Sequence, residues 1–112
     1  MKIAIPLFNN RVSPHFLTSR QLLLVQIHET AMNSSCTINM ENIPAVRKKE
    51  KVLALGTQAL LCGGIDEETK FWLERHGVFV KDNCMGDALD ILNVFLNNPK
   101  RKPAKDTNKS KF

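Results

Sequence analysis

The chain has no tyrosine, a single tryptophan and only three cysteines. Cys36, Cys62 and Cys84 are an odd, widely spaced set with no C-x-x-C pair, so a disulfide framework is excluded and reduced thiols are expected. No apolar run approaches the roughly 20 residues that cross a bilayer. The opening "MKIAIPLF" is too short for a secretory leader and has no small-residue cleavage pattern, so the expected compartment is the cytoplasm. Neither phosphate-cradling pattern, GxGxxG nor GxxxxGK[ST], occurs. The first strand carries no carboxylate, which argues against a two-metal nuclease, because such a site needs several carboxylates aimed at one point.

Charge is abundant but unevenly placed. Lys and Arg number 16 against 11 Asp and Glu, a net charge of +5. Six basic residues, Lys100, Arg101, Lys102, Lys105, Lys109 and Lys111, oppose Asp106 alone after residue 98, and residues 1–98 are balanced. The final stretch carries two prolines and no large apolar residue except Phe112. It cannot bury enough surface to offset its ordering entropy. The expected organisation is one α/β domain over 1–98 and a disordered basic tail over 99–112. A neutral body gives no reason to expect nucleic acid, and the tail reads as a solvated extension open to an acidic partner.

Alternating elements fill the body. Lys2–Leu7 is apolar enough for a strand buried on both faces, and residues 9–20 read as a long connection. Leu22–Ile27 and Cys36–Ile43 are expected to form a hairpin, with "HETAMNSS" turning the chain between them. After Pro44 a helix is expected over 45–55, ending at a left-handed cap on Gly56. Gln58–Cys62 reads as a buried strand, Gly63-Gly64 as a turn, and Asp66 as the cap of a helix that Gly77 stops. Val78–Val80 is a fifth strand. Met85, Ala88, Leu89, Leu92, Phe95 and Leu96 share one face of a last helix. The order β-β-β-α-β-α-β-α implies a mixed five-stranded sheet with helices on both faces, and ligands of such sheets sit at the carboxyl ends of parallel strands.

That edge collects the residues with chemistry. His15 lies in the first connection, Cys62 and Gly63-Gly64 follow the fourth strand, and Cys84 follows the fifth. Thiolate and imidazole suit iron, copper, zinc or iron–sulfur species. The scatter of these residues fits no closed zinc site and suits one or two ligands offered to a preformed cluster. Each also has a plain reading: Cys36 and Cys62 as small buried hydrophobes, Gly63-Gly64 as a tight turn, His15 as a satisfied loop residue. His28 and His76 read as surface residues. Three acids, Asp66, Glu67 and Glu68, would repel a phosphate at the glycine turn, and helix capping explains them. Covalent thiol catalysis lacks an orienting third group beside Cys62 and His15.

The ordered set "MKIAIPL", "RVSPHF", "LLLVQI", "LLCGGI", "HGVFV" and "GDALDILNVFL" resembles the dinitrogenase iron–molybdenum cofactor biosynthesis family, which includes NifX-like carriers and the carboxyl-terminal region of NifB. The likeness covers about residues 1–97. It implies a ribonuclease H-like three-layer fold, no enzyme activity, and a role in binding, carrying or inserting a molybdenum- or iron–sulfur cofactor such as the iron–molybdenum cofactor. Cofactor donor or acceptor proteins would be the partners. The family's loop histidine falls on His15 and its small-residue turn on Gly63-Gly64. Arg11 and Arg20 could offset the charge of a cluster, and Cys62 and Cys84 are the candidate thiolate ligands beside His15. The alternative is an interaction or regulatory domain that keeps the fold without a cluster site. The chain departs from the family at "HFLTS", where HFG is usual, and in a basic helix at 45–55.

Overall fold

β1, Lys2–Phe8, is the strand around which the sheet is built. The computed structural model describes residues 1–97, so the tail expected at 99–112 lies outside the described residues. Successive side chains of β1 leave on opposite faces, and both faces are covered. Ile3 and Ile5 join one core with Ala88, Leu92, Phe95 and Leu96 of α3 (Ala88–Leu96). Ala4 joins the other with Val52 of α1 (Lys48–Ala54) and Leu73 of α2 (Glu67–Arg75). The result is the expected three-layer α/β arrangement. No helix among the described residues is long and apolar enough to cross a membrane.

On one side of β1 run β3 (Gln21–His28) and β4 (Ala31–Asn39), antiparallel. On the other run β5 (Ala59–Leu61) and β6 (Phe79–Lys81), parallel, giving the order β4-β3-β1-β5-β6. A sixth strand, β2 (Arg11–Val12), pairs with Leu7 and Phe8 inside the segment expected to be all loop. Pro6 sits between these pairings. β5 meets β1 at Ile3 and Ala4 and β2 meets it from Leu7, so the proline's missing N–H falls where no ladder bond is required. Its carbonyl accepts from Ser13 N at 2.8 Å.

Four boundaries or burials differ from expectation. The β3–β4 turn is only Glu29-Thr30, with Glu29 at φ 60, so β4 begins at Ala31 and ends at Asn39 rather than spanning 36–43. Residues 31–35 are small or polar apart from Met32, which reads as a turn in sequence; pairing with β3 makes them strand. Cys36 is consequently exposed on an edge strand rather than buried. Residues 45–47 form a 3-10 turn before α1, and Gly56 takes the left-handed cap at φ 82. On α3, Leu89 is 49% exposed and Met85, before the helix, 81% exposed, because the core takes the Ala88, Leu92, Phe95 and Leu96 stripe. Asp66 and Asp87 cap α2 and α3 by accepting from backbone N–H groups of the first turn.

Candidate functional site

Three connections meet at the carboxyl ends of β1, β5 and β6, and backbone hydrogen bonds sew them together. Gly64 N donates to Pro14 O at 2.6 Å and Phe16 N donates to Gly64 O at 2.9 Å, a parallel bridge between His15 and Gly64. Asn83 N reaches Gly63 O and Cys84 N reaches Cys62 O, each at 2.9 Å. Val12 N donates to Gly86 O at 2.9 Å and Ala88 N to Asn10 O at 3.0 Å, while Arg11 and Asp87 form a backbone bridge.

Gly63 and Gly64 are needed for this seam. Neither takes a positive φ. A Cβ on Gly63 would fall 2.4 Å from Ser13 O and 2.9 Å from Pro14 O; one on Gly64 would fall 3.0 Å from Pro14 O and 3.1 Å from His15 Nδ1. The close backbone approach that these glycines allow is thus made by the chain's own S-P-H loop.

The "HF" pair divides its work between water and core. Phe16 is fully buried with Leu22, Met40 and Leu60, which contributes roughly 2–3 kcal/mol, while His15 beside it is exposed. Ser13 Oγ donates to His15 O at 3.1 Å and Ser19 Oγ to Phe16 O at 2.7 Å. Lys48, on the basic helix, is buried and donates from Nζ to Leu17 O at 2.8 Å and Ser19 O at 2.6 Å. Burial lowers its pKa from the ordinary lysine value. Nothing in the sequence separates Lys48 from Lys49 or Lys51 except its place on the helical face that turns toward this loop.

The two thiols near the seam point into different cores. Cys62 is fully buried in the α1–α2 core and Cys84 belongs to the α3 core, 7% exposed. Burial pushes the Cys62 thiol up to about 12, and the charges of Cys84 and Asp82 add to the rise against the opposing Lys70. Cys84 Sγ lies 3.5 Å from Lys81 O. Among the described residues no three His, Cys, Asp or Glu side chains are grouped to hold one ion. Arg11 and Arg20 are both exposed. Arg20 lines a cleft of about 500 Å³ with Phe8, Ser13, Ser19 and Glu41. His28 and His76 are at the surface as expected; His76 stacks on Trp72 with ring centroids 3.9 Å apart.

The fold therefore defines an open, mixed α/β sheet that delivers three tied loops and one exposed imidazole to the carboxyl edge of its parallel strands. No family model and no curated protein matches the chain. Solved structures do. The crystal structure of PH0822 aligns with a TM-score of 0.81 at 21% identity over 86% of this chain and 88% of that one. A protein of Methanocaldococcus jannaschii described as a "putative dinitrogenase" (MJ0327) aligns in its crystal structure with a TM-score of 0.71, at 22% identity over 86% and 88%. Its NMR structure gives 0.70 at 23% identity over 86% of each chain. These likenesses establish a shared fold.

Proposed function

We propose that this chain is a non-catalytic module that binds and hands on a preformed metal–sulfur cluster of the iron–molybdenum type, as in nitrogenase cofactor biosynthesis, with His15 as the ligand that meets the cargo. The observation that carries the reading is the exposed imidazole of His15 on a loop anchored by Phe16 and tied on both sides to Gly64. The fold shared with MJ0327, described as a "putative dinitrogenase", and the "RVSPHF" resemblance support it.

The donor set limits the chemistry. One accessible imidazole is too few to assemble a cluster and suits cargo that arrives with its own sulfide and leaves again. Cys62, with a protonated and fully buried thiol, serves the core in this reading, and Cys84 is at most a second ligand. Arg11 and Arg20 supply positive charge near the loop. Cofactor donors and acceptors are the partners such a carrier requires.

Anaerobic incubation with isolated iron–molybdenum cofactor or with thiomolybdate, followed by desalting and metal analysis, tests this. Wild type should retain metal with a visible absorbance band, and His15→Ala should weaken retention at least about tenfold, since losing even an outer-shell partner of a ligand costs that much. Absence of retained metal in wild type would sink the carrier reading. A second reading, an interaction domain without cargo, is favoured by the lack of a three-donor group among the described residues. It requires His15→Ala to behave as wild type in every binding assay.

A further inference from the structure

We infer that β4 is a self-association edge, which pairs antiparallel with β4 of a second copy about a two-fold axis to make one continuous sheet. β4 ends the strand order, so it bonds β3 on one side and, among the described residues, no strand on the other. Register decides which of its groups are open. Met1 N donates to Ile27 O at 2.9 Å and Ile27 N to Met1 O at 2.7 Å, so odd-numbered residues of β3 bond β1 and even-numbered ones bond β4. Met40 N to Arg20 O at 2.8 Å keeps the same alternation. Through the pairs Leu24↔Cys36 and Leu22↔Ile38, the backbones of Cys36 and Ile38 are used by β3. Those of Ser35, Thr37 and Asn39 face outward.

Soluble proteins guard such an edge with lysine, proline, short length or a bulge. β4 runs nine residues, every one exposed except Ile38, and from Thr30 to Met40 there is no charge and no proline. Its one irregularity leaves Asn33 unpaired between Met32 and Ser34, near the hairpin tip, so 34–39 stays regular. The opposite edge, β6, is three residues long and carries Lys81.

The composition points to a second copy as the occupant. An isologous pair sets each residue against one from the same strand, so charges on the strand would confront like charges; β4 has none. An edge built to take a foreign peptide offers pockets for alternate side chains, whereas β4 is exposed on both faces. Centring the pair on Thr37 uses all three outward residues, with Thr37 against its own copy and Ser35 against Asn39 of the second copy. Cys36 then meets Ile38 of the second copy on the adjoining face.

Sedimentation of the full chain over a wide concentration range tests the proposal. Wild type should be a dimer that dissociates on dilution. Thr37→Lys, which sets a lysine directly against its own copy, should weaken dimerisation at least about tenfold, and Ser35→Lys, which sets one against Asn39 of the second copy, should weaken it less, each with an unchanged far-UV spectrum. Three results would overturn it: a wild type monomeric throughout; a dimer that survives both lysines but is lost in Val94→Glu, on the exposed side of α3; or a monomer that instead captures an extended peptide along β4.

Discussion

The carboxyl edge of β1, β5 and β6 and the β3–β4 hairpin meet the same demand, that backbone polar groups find partners, in opposite ways. At the first, residues 10–16, 62–64 and 83–88 supply one another with donors and acceptors. At the second, β4 bonds β3 on one side and, among the described residues, no strand on the other. Satisfaction within the chain leaves no tolerance for added atoms, which is why glycines are found there. An edge without a strand partner in its own chain tolerates nearly any small polar residue, which is why "NSSCTIN" reads so blandly.

The largest effect should come from adding one methyl group to the seam. Gly63→Ala sets a Cβ 2.4 Å from Ser13 O, and backbone on both sides must give way, so urea unfolding should show a loss of about 3 kcal/mol. Gly77→Ala is the control: it meets nothing within 4 Å but takes a φ of +88, for about 1 kcal/mol. Equal losses would mean that the close approach to Ser13 and Pro14 is not what requires glycine at 63.

The seam was half legible in the sequence. Alternation of apolar segments placed three loops on one edge, and the residues singled out there, His15, Gly63, Gly64 and Cys84, do lie on the loops that meet, with Cys62 at the strand end. Which way each side chain turns was not legible, because it depends on register: Cys62, just after β5, joins the core of α1 and α2, while Cys84 leaves its loop on the α3 side. The role of the glycines was hidden for a related reason, since their neighbours Ser13 and Pro14 are about fifty residues away in the chain. Lys48 was invisible because its partners are carbonyls, and every residue has one. The hairpin was mis-bounded where small polar residues owe their strand conformation to a partner rather than to their own preference.

A middle-sized effect belongs to Cys62 and its pH dependence. Burial holds the Cys62 thiol above its ordinary 9.0, at about 12, so on raising the pH the unfolded chain loses this proton first. Below pH 9 both states keep it and stability is intact; between pH 9 and 12 the folded state is progressively disfavoured. Chemical denaturation across that window should show a decline that Cys62→Ala reduces, at a cost of about 1 kcal/mol at neutral pH for the lost packing. An identical slope in the variant would assign the decline to other groups.

Cys36→Ser should do least. Its side chain is exposed on β4, its backbone already bonds β3, and a hydroxyl there meets water, so the unfolding midpoint should move by no more than about 0.5 kcal/mol. The same thiol should be the quickest to react. In the folded protein, diluted until it is monomeric, an aromatic disulfide reagent should modify exposed Cys36 readily and reach fully buried Cys62 at least about a hundredfold more slowly, through transient opening alone. Comparable rates for the two would mean that the seam opens as freely as the hairpin edge. The contrast between a sewn edge and an open one would then belong to geometry and not to stability.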